Sequence, residues 1–165
     1  MTVRAAIPAD VPAIMTVLEA ARQIMREDGN LRQWVDGYPS EAVIRGDIAL
    51  GQGYVMLERD AVVAYFVFMR SPEPSYAAID GQWLDDTRPY HVIHRIGSLP
   101  TVHGVFDTMM AYCAAREPNL RIDTHEDNRI MQHNILKHGF TCCGIIYLES
   151  GAPRLAYQRI DSGIG

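Results

Sequence analysis

The run YHVIHRIGSLPTVHGVFDTMMAYC, residues 90–113, passes from a β-prone segment into a helical one through a proline and a glycine. Tyr90 to Leu99 reads as a strand. Thr101 then opens a helix whose Val102, Val105, Phe106, Met109, Met110 and Cys113 fall on one side, and Glu117-Pro118 ends it. The methionines of that helix, with Val105 and Phe106, suit core packing. Downstream, Leu120 to Asp123 is a short strand, and residues 127 to 138 form a helix that stops at Gly139. Phe140 to Leu148 and Leu155 to Ile160 close the chain as a hairpin.

Upstream, Thr2 to Ala6 is β-prone. Asp10 is placed to cap a helix with Pro12 in its first turn, where a missing N–H costs little. Val11, Ile14, Met15, Leu18, Ala21 and Met25 give that helix one apolar face, and Asp28-Gly29-Asn30 stops it. Ser40 caps a second helix running to Leu50, with Glu41 in its first turn and Gly51 beyond its end. Tyr54 to Leu57 and Val62 to Met69 pair antiparallel across a short link. Ser71 to Pro89 reads as a long irregular loop carrying Tyr76 and Trp83, and such loops commonly shape substrate sites. The order is β-α-α-β-β-β-α-β-α-β-β. A strand-helix-strand-helix run inside an antiparallel meander implies a mixed α/β (α+β) sheet with helices on both faces.

The 165 residues fit a single domain, and 48% hydrophobic residues supply a core without metal or disulfide help. The net charge of -5 and the scatter of fifteen Lys and Arg argue against a nucleic-acid partner. Met1 to Ala21 lacks the apolar stretch of a signal peptide, and no window reaches the ~18 apolar residues of a membrane span. Three cysteines, Cys142 and Cys143 adjacent, form no disulfide framework and suit small buried positions in a reducing compartment. A cytoplasmic protein without membrane association is expected.

The element order resembles the GNAT acetyltransferases. Arg121-Ile-Asp-Thr-His125, Asn128, Met131, Lys137-His-Gly-Phe140, Gly144, Arg154 and Ala156-Tyr157 carry the likeness, and Gln33-Trp34, Gly37-Tyr-Pro39, Gly81 to Leu84 and Tyr90 to Arg95 look like a bacterial branch of that family. The resemblance implies splayed central strands. Acyl-CoA, acetyl-CoA above all, would lie between residues 94–100 and 120–124, with its pyrophosphate at the next helix N-terminus. A helix N-terminus suits that duty because its N–H groups are unpaired and partly positive. The donors would lie at Val102, His103, Gly104, Val105 and Phe106, with backbone N–H groups of Ile96, Gly97 and Ser98 facing the thioester oxygen. His103 is either a phosphate donor or a plain surface residue. The chain departs from the family loop, in which Gly104 alone survives clearly. It departs again at Ile135, which stands where the family commonly has the tyrosine that protonates sulfur.

Acyl transfer needs a neutral amine, a donor for the developing oxyanion and an exit for the thiolate. His94 and His125 are the candidate acid or base groups, set against a structural histidine beside Arg95 and a helix cap respectively. Asp123 would bind the acceptor amine or cap a helix. Asn128 would meet the pantetheine arm or cap one. Trp34, Tyr38, Tyr76 and Trp83 would line the acceptor pocket, a small-molecule or peptide amine being the acceptor, or else lie buried beneath loops. A zinc site is disfavoured because His91 and His94 point to opposite faces of a strand. The rival reading is a domain that senses acyl-CoA or a small ligand without turnover. The terminal hairpin or an exposed strand edge offers a route to a homodimer, which no residue pattern specifies.

Overall fold

The computed structural model describes residues 1–161. Its strands are β1 (Thr2–Ala5), β2 (Gly53–Glu58), β3 (Ala61–Arg70), β4 (Asp80–Gly81), β5 (His91–Ser98), β6 (Asn119–Thr124), β7 (Thr141–Tyr147) and β8 (Pro153–Ile160). Its helices are α1 (Val11–Glu27), α2 (Glu41–Ala49), α3 (Val105–Ala114) and α4 (Arg129–Lys137). One sheet runs β1-β2-β3-β5-β6-β8-β7-β4, and β5 pairs with β6 in parallel while every other pair is antiparallel. A crossover helix is what a parallel pair requires, and α3 supplies it.

Period-two alternation sorts β2 and β3 onto the two faces of the sheet. Met56, Ala64, Phe66 and Phe68 face α3 and α4, packing with Met109, Cys113 and Ile135. Val55, Tyr65 and Val67 face the other way, onto Ile14, Leu18 and Ala21 of α1. Gly97 permits that close docking, since a Cβ there would come within 2.9 Å of Leu18 Cδ2 and 3.4 Å of Trp34. Cys113 and Cys143 are buried and Cys142 is exposed.

Four local readings change. Asp10 does not cap α1; its carboxylate instead accepts the Ile7 N–H at 2.8 Å and chelates Arg4, which holds its pKa below the ordinary value. The helix expected from Thr101 begins at Val105, because the Val102 N–H turns back to the Leu99 carbonyl and Gly104 takes φ +77° as N-cap. Likewise α4 begins at Arg129, with the Asn128 side chain accepting the Met131 N–H as its cap. The 71–89 segment is not wholly irregular. It contains a 3-10 turn at Pro74–Tyr76 and the two-residue β4, which pairs with β7 through Gly81 and Gly144. A Cβ on Gly81 would collide with the Cys143 carbonyl, and one on Gly144 with the Asp80 carbonyl. Both glycines therefore allow a backbone approach that no other residue permits.

Candidate active site

The parallel pair β5–β6 is in register for three residues, His91↔Leu120, Val92↔Arg121 and Ile93↔Ile122, and then parts. On the other side of β5, Arg95 and Ile96 together oppose Phe66 of β3, a two-against-one bulge in which Arg95 has φ +50°. A non-glycine residue in that region is strained by ~1–2 kcal/mol, so something must hold it. Asp47 of α2 does so. It chelates the Arg95 guanidinium through Nε at 2.9 Å and Nη2 at 2.6 Å, and Tyr65 donates its hydroxyl to the same carboxylate at 2.8 Å. Burial pulls the Arg95 pKa down, but bonding to Asp47 and Tyr38 outweighs it and the net shift is upward.

The opening between the strands joins two cavities. The first, of about 400 Å³, is walled by Trp34, Tyr38, Glu73, His94, Asp123 and Arg154 among others. The second, of about 200 Å³, lies between α1 and the N-termini of α3 and α4 and is lined by Gly97, Ser98, Val105, Phe106 and Asn134 among others. Met25, Ile96, Asn128 and Met131 line both, so the bulge residue Ile96 sits at their junction.

His94 projects from the last turn of pairing into the first cavity. Its Nε2 lies 3.2 Å from Glu73 Oε2 and its Nδ1 3.7 Å from Asp123 Oδ2. Asp123 in turn accepts the Tyr76 hydroxyl at 2.6 Å. A chain Glu73–His94–Asp123–Tyr76 results, drawn from the 71–89 segment, β5 and β6. Hydrogen bonding to His94 holds the Glu73 carboxyl down at about 2 in spite of its burial, and the Ser75 N–H adds to the effect. Burial and the Asp123 charge push the Tyr76 hydroxyl well above its ordinary value, so it acts as a donor and not as a phenolate.

Because Glu73 is lowered on folding, its contact with His94 contributes stability that is complete above the ordinary carboxyl value of 4.5 and lost as pH falls toward about 2. Thermal melts of the wild type and Glu73→Gln are accordingly expected to differ at pH 6, to differ by roughly half as much at pH 3 and to converge only as pH falls below about 2. A difference that persists undiminished in acid would mean that the carboxylate charge is not what the contact uses.

The structure brings Trp34, Tyr38, His94 and Asp123 together on the first cavity and Gly97, Ser98, Val105 and Phe106 on the second, with Ile96 and Asn128 on both. Other expected site residues lie elsewhere. Trp83 lines neither cavity. Its ring covers the fully buried Arg121 guanidinium at 3.9 Å, with Tyr90 at the same distance on that cation, and its Nε1 donates to the Tyr76 carbonyl. Tyr76 is buried behind Asp123 and touches the cavity only through it. His125 is a turn residue: its Nδ1 accepts the Asp127 N–H at 2.9 Å, and burial lowers its pKa, so it stays neutral and faces neither cavity. Val102 packs on the core, and His103 is exposed. His91 faces Phe68 and Glu117, on the side opposite His94.

Three residues of the site were not singled out as such by sequence reasoning. Glu73 sits between two prolines in a segment without periodicity. Arg154 and Gln33 stood within the family-like motifs but without a role. Gln33 Oε1 accepts from Asn30 at 2.8 Å and from Asn128 at 2.9 Å, which ties the segment after α1 to the cap of α4.

The N-terminus of α3 is open. The first N–H returned into the helix is that of Thr108, to Gly104 O, and no side chain among the described residues caps the end. A Cβ on Gly104 would meet Met1 Cε alone, at 3.9 Å, which leaves room for an anion against the backbone. Phe106, the bulky residue of this loop, turns its ring inward onto His138 at 4.8 Å between centroids, away from the exposed backbone of His103 and Gly104. Asp107 in the same turn is engaged by His138 Nε2 at 2.6 Å.

No protein-family model matches the sequence, and no curated protein matches it. Solved structures do. A GNAT-family acetyltransferase from Streptococcus agalactiae 2603 is 34% identical with a TM-score of 0.88, over 98% of this chain and 95% of that one. A GNAT-family acetyltransferase from Listeria monocytogenes 4b F2365 shares the fold at 19% identity and TM-score 0.71, over 97% and 94% of the two chains. So does GphF, a GNAT-like decarboxylase in complex with isobutyryl-CoA, at 15% and 0.68, over 97% and 99%. The parted parallel strands, the bulge at Arg95 and Ile96, the open helix end beyond them and the full-length likeness at 34% identity agree, and the chain belongs to the GNAT family of acetyltransferases.

Proposed function

We propose that the protein transfers an acetyl or other acyl group from acyl-CoA to the amine of a small molecule or peptide, by direct attack within one ternary complex. The observation that carries this reading is the junction of two unlike cavities at the parted strands: one walled by titratable groups, the other by apolar side chains and a helix N-terminus. Acyl-CoA supplies an activated thioester. The residues fit it: the uncapped amides at the start of α3 suit a pyrophosphate, Met25, Ile130 and Met131 suit the pantetheine arm, and the Ile96 backbone stands where the thioester oxygen would need a donor. GphF, a protein of the same fold, is in complex with isobutyryl-CoA, which supports an acyl-CoA as the ligand class.

On the acceptor side, an ammonium group would be drawn to Glu73 and Asp123, and His94 between them can take its proton. The amine nitrogen then bonds to the carbonyl carbon, the C–S bond breaks, the CoA sulfur leaves as thiolate and the second nitrogen proton passes to solvent. A thiol of pKa about 8.5 leaves without much protonation, which is consistent with a non-titrating Ile135 at the expected acid position. Ile135 is fully buried in the core and offers no proton. That same substitution favours the second reading, a domain that binds acyl-CoA as a sensor without turnover.

Calorimetric titration with acetyl-CoA followed by thiol-release assays over amines, amino acids and peptides separates the two. Release supports the enzyme, binding without release on any acceptor supports the sensor, and no binding removes both. Gly104→Asp adds a carboxylate at the anion position and is expected to weaken acetyl-CoA affinity by roughly tenfold or more. Unchanged affinity would remove the pyrophosphate from this loop.

A further inference from the structure

Three arginines line the acceptor cavity, and they differ in what balances them. Arg95 is chelated by Asp47, and Arg32 lies 3.4 Å from Asp127 at the exposed rim. Arg154 is different. It is 7% exposed, and no carboxylate among the described residues lies within 4 Å of its guanidinium. Its Nη1 donates to the Pro153 carbonyl at 2.9 Å and its Nη2 to the Gln33 carbonyl at 3.5 Å, two neutral acceptors that orient the group without cancelling its charge. Burial pulls its pKa below the ordinary value, with the Asp123 charge opposing that pull from beyond contact distance. A desolvated cation held at a cavity wall without a counter-charge is costly for a fold to keep, and an anion arriving in the cavity would relieve that cost.

The position of the cation relative to the acidic groups is fixed by the sheet. Asp123 of β6 stands opposite Ala156 of β8, so Arg154, two residues along β8, projects from the same face about 7 Å further on. The cavity is thus bipolar. Glu73 and Asp123 flank His94 at one end, and Arg154 stands at the other.

Resting on the acyl-transfer reading, we infer that the acceptor is a small amino carboxylate, its amine at Asp123 and His94 and its carboxylate on the free N–H donors of Arg154. A guanidinium and a carboxylate match as paired donors and acceptors, which makes such a contact selective as well as attractive. The site would reject the amide or the decarboxylated amine of the same molecule, since either leaves the Arg154 cation buried and unanswered.

The test uses matched sets: each of the common amino acids, its amide and its decarboxylated amine, assayed with acetyl-CoA for thiol release and titrated calorimetrically into the CoA-loaded protein. The expected result is a preference for the carboxylate member of at least one set by roughly tenfold or more in kcat/KM, mirrored in binding. In Arg154→Gln that preference should vanish, and in Arg154→Lys, which keeps the charge, it should persist in part. Amides or simple amines used as well as the amino acids would overturn the inference while leaving acyl transfer intact. So would a carboxylate preference that survives Arg154→Gln. Carboxylate-dependent binding without any thiol release would support the Arg154 site and sink the acyl-transfer reading instead. The wild-type comparison decides the matter even if Arg154→Gln does not fold.

Discussion

His94→Gln is expected to lower kcat by roughly 10²-fold or more while leaving the calorimetric affinity for acetyl-CoA unchanged, because positioned proton transfer contributes on that scale. Glutamine keeps a polar group between Glu73 and Asp123 and so preserves the packing, but it cannot take a proton at neutral pH. The separation of effects follows from geometry: His94 lines the first cavity and not the second. A variant within threefold of wild type would mean that the amine loses its proton to solvent, and that the Glu73–His94–Asp123 chain serves binding alone.

The second expectation concerns the bulge. Asp47→Ala removes the sole carboxylate on Arg95 among the described residues and, in the same stroke, the acceptor of the buried Tyr65 hydroxyl. Breaking one partner out of such a buried pair costs about 3–5 kcal/mol, because a charge is left desolvated. In a chain of this size that corresponds to a fall in Tm of roughly 10 °C, read by differential scanning calorimetry. The rate should fall as well, since Arg95 at φ +50° sets the direction in which the Ile96 backbone faces. The triple variant Asp47→Leu, Arg95→Met and Tyr65→Phe, which leaves neither a buried charge nor an unanswered hydroxyl, separates the two consequences: much of the stability should return and activity should not. A loss below ~1 kcal/mol in Asp47→Ala would show that the bulge is held by the sheet alone.

The frame of this fold was legible in the sequence because it is written in local periodicity. The apolar steps from Val11 to Met25 gave α1, and the alternation along Tyr54–Leu57 and Val62–Met69 gave β2 and β3. The run of residues 90–113 and the family motifs after it placed the parted strands. The errors are of one kind. Gly104 read as part of a helix opening at Thr101, because nothing local reveals that the Leu99 carbonyl has already taken the Val102 N–H. The bulge carries no glycine at Arg95, and its clamp comes from Asp47, forty-eight residues away along the chain. Glu73 meets His94 across twenty-one residues and Tyr76 meets Asp123 across forty-seven. Trp83 was read as pocket-lining since aromatic residues in loops often are, whereas a buried arginine, invisible as such in sequence, had claimed its ring.

The Gly81–Gly144 clasp has a kinetic meaning. Residues 71–89 are fastened at both ends and at the middle: the Ser71 N–H to the Tyr90 carbonyl, Gly81 to β7, and the Leu84 and Asp85 N–H groups to the Gln158 side chain. Glu73 and Tyr76 therefore belong to a fixed wall and not to a lid. On the acyl-transfer reading proposed above, reactants would enter a mouth that is already shaped, and selection among acceptors would fall to fit and charge instead of closure.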